Sequence, residues 1–356
     1  MKRNGFILIP LAVLFLPLFL STFHEQNSGS EFQISAPLKN NHSPSSHFRG
    51  RIQTLAIDEI DKSTGKLKCR FVQYLKAEDG RLYQIEDKKG VLRGVKSSWK
   101  MSIQGNLVEN KVVVEDAKPL DVPAESEQLQ DTIGEQRTLV ALFNTPDDLR
   151  QPYTIKEIED TIINNSDSVD KFVRKNSYGK AWLNADFIDW QTLPHDSTYY
   201  DYASDDSLLR VDSMATLDPI VYFPYYGRLI FIYTSRYRDS KVGCIAFFGV
   251  GTVGKSLLSS SGDGDFTAST SWIFGCASNA GISHELGHNF GFRHASSVAS
   301  AGPYFIPENL LDMLISSSAT FEEYGDQDDV MGGKFEHFST IWKSQAQWID
   351  ATQIQE

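Results

Sequence analysis

The stretch His284-Glu285-Leu286-Gly287-His288-Asn289-Phe290-Gly291-Phe292-Arg293-His294 constrains this chain more than any other. It spells H-E-x-x-H-x-x-G-x-x-H. Residues four apart on a helix stand one above the other on the same face, so the spacing predicts a helix that presents His284 and His288 to one metal ion. Gly291 follows three residues after His288, where glycine can take a left-handed conformation and turn the chain sharply. That turn predicts His294 as a third nitrogen ligand. Three neutral ligands leave the fourth position of a Zn2+ ion open to water, as in catalytic rather than structural sites. Glu285, beside the first ligand, is placed to act as a base on that water. The short H-E-x-x-H pattern also fits the polar face of an ordinary exposed helix. The longer pattern fixes five residues, three of them the rare His, and a random match in a chain of this length has a chance on the order of 10⁻⁵.

The same residues resemble the extended motif of the metzincin metalloproteases. Downstream, Tyr324-Gly325-Asp326-Gln327-Asp328-Asp329-Val330-Met331-Gly332 resembles their Met-containing turn, and its Asp-Val-Met-Gly ending is similar to the gametolysin family. Asn176-Ser177-Tyr178-Gly179-Lys180, followed by Trp182-Leu183, resembles the same family. The resemblance covers roughly residues 137–350 and implies an α/β metzincin-like catalytic domain over 137–356, with a mixed twisted sheet, two long helices and a Met-turn; the small all-β domain before it lies outside the resemblance. It implies zinc ligands at His284, His288 and His294, a general base at Glu285, and Met331 as an apolar floor beneath the ligands. It also implies that the fourth strand is an exposed antiparallel edge, on which an extended peptide can pair through main-chain hydrogen bonds. Some metzincins carry a Tyr two residues beyond the Met; this chain has Gly333 there, so the resemblance supplies no Tyr for the oxyanion.

At 356 residues the chain has room for about two domains. Its net charge of −12, without a long Lys/Arg run, argues against nucleic acid and anionic membrane surfaces as partners. Residues 1–23 begin with Lys2 and Arg3 and continue into an apolar run from Phe6 to Leu20 that contains Pro10 and Pro17. They read as a signal peptide or N-terminal anchor. The expectation is a secreted, extracellular protein, with periplasmic placement as an alternative and membrane anchoring as another if the segment is not cleaved. Residues 24–50, rich in Ser, Asn, His and Pro, read as a flexible linker that contains His42 and His47. Residues 51–117 alternate apolar and polar positions, as in Leu67-Lys68-Cys69-Arg70-Phe71, and read as a small all-β domain: a latency pro-domain, or a folding aid or binding module. Residues 118–136 form an acidic linker with Pro119 and Pro123, suited to a proteolytic nick.

From Arg137 the pattern changes to strands and helices. Strands are expected at Leu139–Phe143, Ala181–Ile188, Leu229–Thr234, Cys244–Val250 and Ser269–Phe274. Helical spacing runs from Asp147 to Lys175 with an interruption near Asn164, then near Ser207–Leu217, Asn279–Phe290, Leu310–Ile315 and His337–Trp348. His195 and His337 read as loop and helix-end residues rather than ligands. The loop Ser261-Gly262-Asp263-Gly264-Asp265 offers carboxylates to Ca2+ but lacks the full EF-hand spacing, so a turn is favoured. Export permits a disulfide, and Cys244 with Cys276 is the favoured pair. Cys69 could cap the zinc as a switch thiolate. The parity of Leu67, Cys69 and Phe71 points the sulfur into a core instead, where thiols are inert. Together these features point to a monomeric zinc endopeptidase acting on an extended peptide or protein. The alternatives are a non-catalytic extracellular binding protein on the same scaffold and an amidase acting on cell-wall peptides.

Overall fold

The structure, a computed structural model, describes residues 46–60, 67–122, 132–200, 206–234, 249–300, 319–333 and 336–350. The expected signal segment, His42, Cys244 and the helix at Leu310–Ile315 lie outside them.

Among the described residues, the centre of the molecule is a set of parallel strands whose residues are apolar on both faces. In β6 (Gly134–Asn144) Leu139, Ala141 and Phe143 point to one face while Val140 and Leu142 point to the other. In β8 (Arg228–Tyr233) the same parity separates Leu229, Phe231 and Tyr233 from Ile230 and Ile232. Continuous apolar runs of this kind suit strands covered on both sides. β7 (Ala181–Thr192) and β8 both pair in parallel with β6, and β11 (Gly264–Phe274) pairs in parallel with β8. β9 (Gly249–Thr252) then adds antiparallel to β11, and β10 (Ser256–Ser260) also pairs with β11.

One face of this sheet carries α1 (Ile155–Glu159), a π-helical turn (Asp160–Asn164), α2 (Val169–Asn176) and α4 (Asn279–Asn289); α3 (Asp206–Leu217) packs with the opposite core. Thr154 starts α1 with a reciprocal capping box to Glu157, and Ser168 caps α2. A short closing helix α5 covers Thr340–Gln345, and β12 (Ser297–Ser300) pairs with β13 (Ala319–Glu322) as a separate ribbon.

The N-terminal strands form a closed ring. β1 (Ser46–Ile60) pairs with β2 (Leu67–Ala77) and with β4 (Lys100–Val108). β3 (Leu82–Glu86) and β5 (Lys111–Asp121) complete the circuit β1-β2-β3-β5-β4-β1. Ile52, Leu75, Ile103, Val112 and Val114 fill its interior. Closure removes the free edges that a small antiparallel sheet would otherwise expose.

Two expectations need correction. The fold is not a twisted sheet with two long helices beside a separate all-β domain. It is dominated by one 11-stranded mixed sheet, because β1 leaves the ring and pairs antiparallel with β9. The first long helix is likewise three short pieces, and the interruption expected near Asn164 is the break between the π-helical turn and α2. Asn165 leaves the helical region at φ −62°, ψ 154°, and a new capped helix starts at Ser168. Asn and Ser bond locally to the backbone in non-helical conformations, which favours a break at Asn164-Asn165-Ser166 over one continuous helix. The longest described helix, α3, has 12 residues. The boundaries shift as well: residues 46–50 belong to β1 rather than to a linker, and β5 runs to Asp121.

Candidate metal centre

α4 is the element around which the site is built. Ser278 caps its N-terminus, accepting a hydrogen bond from the Gly281 N–H at 3.1 Å. At the other end the Gly291 N–H donates to the His288 carbonyl (2.8 Å) and the Phe292 N–H donates to the Gly287 carbonyl (3.0 Å). Gly291 has φ +94°. This is the Schellman arrangement, and it reverses the chain so that His294 returns to the helix face carrying His284 and His288. Arg228, fully buried, donates to the Asn289 carbonyl at 2.8 Å and to Gln136 and Ser269, placing a cation where the helix dipole is negative. The Asn289 side chain ties the same helix end to Thr252 of β9 and Thr270 of β11. A side chain at position 291 would meet only ordinary contact, with Gln345 Nε2 3.6 Å from a Cβ, so backbone strain sets the cost of substitution. Gly291→Ala is expected to destabilise the fold by about 1–2 kcal/mol in a denaturant melt and to weaken metal binding through His294.

The three histidines converge. Their ring centroids lie 5.1 Å (His284–His288), 5.3 Å (His284–His294) and 4.9 Å (His288–His294) apart. Each ring is held from behind. His284 Nδ1 donates to the Val330 carbonyl (2.7 Å), His288 Nδ1 to the Phe292 carbonyl (2.9 Å), and His294 Nδ1 to Glu323 Oε1 (3.2 Å). A proton fixed on Nδ1 leaves the Nε2 lone pair facing inward, as metal-ligating histidines require. Val330 belongs to the Met-containing turn. Met331 is fully buried beneath α4, its sulfur only 2.3 Å from where a Cβ on Gly287 would stand. Asp329 shapes the turn, accepting from the backbone N–H groups of Met331 and Ser339 at 2.8 Å each. Met331 therefore floors the site, and its neighbour orients a ligand.

A fourth group enters from the barrel. Asp58 of β1 is buried, with Oδ2 2.9 Å from His284 Nε2 and 3.8 Å from His288 Nε2, and Oδ1 3.3 Å from His294 Nε2. The ligand atoms of Asp58, His284, His288 and His294 all lie within 4.8 Å of one another. Two ligands about 2.0–2.1 Å from a tetrahedral zinc stand about 3.3 Å apart, which matches this spacing. The Nε2 atoms of His288 and His294 are buried and make no hydrogen bond, a costly arrangement unless a cation sits among them. The group can hold a metal ion.

Burial opposes ionisation of Asp58, but the neighbouring His284, His288 and His294 rings together outweigh it and hold the carboxyl well below the usual range. Burial would likewise lower His294, yet its contacts with Asp58 and Glu323 raise it to about 9.

Glu285 is 1% exposed, and neither of its carboxylate oxygens has a hydrogen-bond partner. It lies against β9, where Gly249 and Gly251 leave room for it: a Cβ at 249 would stand 2.0 Å from Oε1 and one at 251 would stand 2.8 Å from Oε2. Burial, then the negative charge of Asp58, raises its pKa well above the carboxylate range.

His284, Glu285, His288, His294 and Met331, all anticipated from the sequence, thus come together. Asp58, Glu323 and the role of Tyr324 were not anticipated. The Tyr324 hydroxyl donates to Asp58 Oδ1 (2.8 Å), and its ring lies 4.1 Å from that of His294. Phe71 covers His288 and His294 from β2, under the Arg293 guanidinium. Cys69 is half-buried rather than in a core. It pairs with Asp58 across β1 and β2 and groups with His294 and Glu323. Burial and the charges of Asp58 and Glu323 push its thiol upward, away from the thiolate form.

Away from the site, the His195 ring packs on Tyr199, and the His337 backbone braces the Met-containing turn at Val330. In the 261–265 loop, Asp263 accepts from the Phe223 N–H and Asp265 from Ser259, so these carboxylates hold the turn. Cys276 is disulfide-bonded and Cys69 is free. Compared with protein-family models and with curated proteins, the chain matches no family model and no curated protein.

Proposed function

We propose that this chain is an exported zinc endopeptidase of metzincin type that hydrolyses peptide bonds in an extended protein substrate. One observation carries the reading: three histidine Nε2 atoms converge on one buried centre, and the residue next to His284 on the same helix, Glu285, is a buried carboxylate with no hydrogen-bond partner of its own. His284, His288 and His294 would hold the zinc, which would supply a Lewis acid for the scissile carbonyl and for the attacking water. Glu285 accepts the proton lost by the attacking water and returns it to the leaving amine nitrogen. The glycines of β9 let this carboxylate approach the strand backbone, beside the edge that β1 occupies in this structure. Val330, Phe292 and Glu323 hold the three rings in one orientation throughout.

The test uses the full chain before and after limited trypsin treatment, with trypsin then blocked by a serine-protease inhibitor. Cleavage of an unfolded protein substrate, read by mass spectrometry, is expected in the treated sample. It should disappear with 1,10-phenanthroline and return with added zinc. Cleavage that ignores the chelator overturns the proposal.

A second reading has its own support. With Asp58 in place the centre has four protein ligands and no exposed side chain among them except a trace of His294, which is how structural zinc sites are closed. On that reading the protein is a non-catalytic extracellular binding module. One equivalent of tightly held zinc with no cleavage in either sample favours it.

A further inference from the structure

Apart from the histidine centre, a cavity of about 860 Å³ opens where the barrel, the end of α4 and the closing helix meet. None of the four grouped metal-site residues lines it, and neither does Glu285. Its volume falls in the upper part of the range of small-molecule sites, about 300–1,000 Å³. Three cations line it: Lys96 from the turn before β4, Lys255 between β9 and β10, and Arg293 just after α4. Among the described residues around it there is no Asp or Glu, although the chain as a whole carries 46 acidic residues against 34 basic ones. A recess lined by one sign of charge concentrates ions of the other. Hydroxyl and amide side chains lead the rest of the lining, and the half-buried Trp342 supplies an aromatic wall. We propose that this cavity binds an anionic oligosaccharide, with its carboxylate or sulfate groups on the cations and a sugar ring against the indole.

The walls are fixed by the fold itself. The turn carrying Lys96 is tied to β1: the Thr54 N–H donates to Ser97 Oγ (3.0 Å), the Ser98 N–H to the Ile52 carbonyl (2.8 Å), and Arg51 to the Ser98 carbonyl (2.8 Å). The Lys255 loop is tied to α4, because the Gly254 N–H donates to the His288 carbonyl at 2.8 Å. Gln345 of the closing helix donates to the Gly291 carbonyl at 3.1 Å. The Trp342 ring stacks on Phe292 at 5.6 Å, and the Arg293 guanidinium lies over Phe71 at 4.5 Å. A preformed site of this kind gives up little freedom when a ligand enters. Offsetting the negative end of α4 would be a simpler use for these charges, but it does not account for the set. Arg228 already donates to the Asn289 carbonyl there, and Lys96 belongs to the barrel. Cations, hydroxyls and an indole face in one recess suit an acidic sugar better than a bare ion.

The experiment titrates the full chain calorimetrically with tetragalacturonate and, separately, with a sulfated tetragalactose. Binding of at least one is expected. Lys96→Gln/Lys255→Gln should weaken it at least about 10-fold, because two partly exposed charge contacts are lost. Lys96 is exposed and Lys255 only half-buried, so this variant should melt like the unaltered chain. Lys156→Gln/Lys171→Gln removes the same charge from α1 and α2, which do not line the cavity, and should bind like the unaltered chain. Neutral tetragalactose, free acetate and free sulfate should each bind at least about 10-fold more weakly than the acidic sugar. No binding of either acidic probe overturns the proposal, as does equal weakening in the two double variants. A neutral sugar or a free ion that binds as tightly as the acidic sugar overturns it as well. Neither zinc nor hydrolysis enters the measurement, so its outcome is separate from that of the peptidase test.

Discussion

Glu285→Gln is expected to abolish most peptide hydrolysis while leaving the metal bound and the fold intact. The loss should be about 10²–10⁴-fold in kcat, the usual worth of a positioned acid–base group, with little change in KM. Gln has nearly the shape of Glu and fits the space left by Gly249 and Gly251. It cannot take a proton from water. Glu285 is not among the four grouped ligand residues, so zinc stoichiometry should stay at one per chain. Stability should hold or rise, because the substitution removes an ionisable group from a buried place where its carboxylate has no partner. The measurement is hydrolysis by the trypsin-treated chain alongside metal analysis and thermal melting. A Glu285→Gln protein that cleaves at the original rate removes Glu285 from the chemistry. One that loses zinc instead makes it a structural contributor to the centre.

The parts of this site that the sequence revealed are those set by local geometry. His284, Glu285 and His288 share one helix, and Gly291 marks the turn that returns His294, so eleven consecutive residues contain nearly all of the arrangement. Met331 was recognisable only from its wording, Asp-Val-Met-Gly. Its neighbour Val330 acts through a backbone carbonyl, which no side-chain pattern announces. Asp58 was invisible for another reason. Its partner Tyr324 lies 266 positions away, and an acidic residue at the end of an apolar strand ordinarily reads as a solvated end. Only the tertiary pairing of β1 with β9 turns it inward.

The same non-local pairing explains the misjudged fold. Period-two alternation at 51–117 indicated an all-β unit, and five strands are there. Alternation describes faces, however, and not which edge meets which. Nothing in Leu55-Ala56-Ile57 distinguishes a strand that stays in its own ring from one that also joins a second sheet. Strand parity misplaced Cys69 for a related reason: it assigned the sulfur to a face, but that face covers the histidines instead of a hydrocarbon core.

Metal removal should produce the second large effect, and His288 locates it. A ligand that binds only the folded chain stabilises it by RT ln(1 + [L]/Kd), about 4 kcal/mol when free zinc is 1,000-fold above Kd. Stripping zinc from the unaltered chain is therefore expected to lower its stability by about that amount, and adding zinc back should restore it. His288→Phe should erase this dependence. Phe fills the space between Phe71 and the other two rings, so packing is largely kept while the inward lone pair is lost. His195→Ala is the control: that ring packs on Tyr199 and is not one of the grouped ligands, so zinc-dependent stabilisation should survive. The contrast between the two variants matters more than either alone, since a loosely folded His288 variant would melt early with or without metal. If His288→Phe still gains about 4 kcal/mol from zinc, the ion binds elsewhere and the converging imidazoles are not its site. If neither variant responds and the unaltered chain does not either, the histidines are held by Asp58 and their own hydrogen bonds alone.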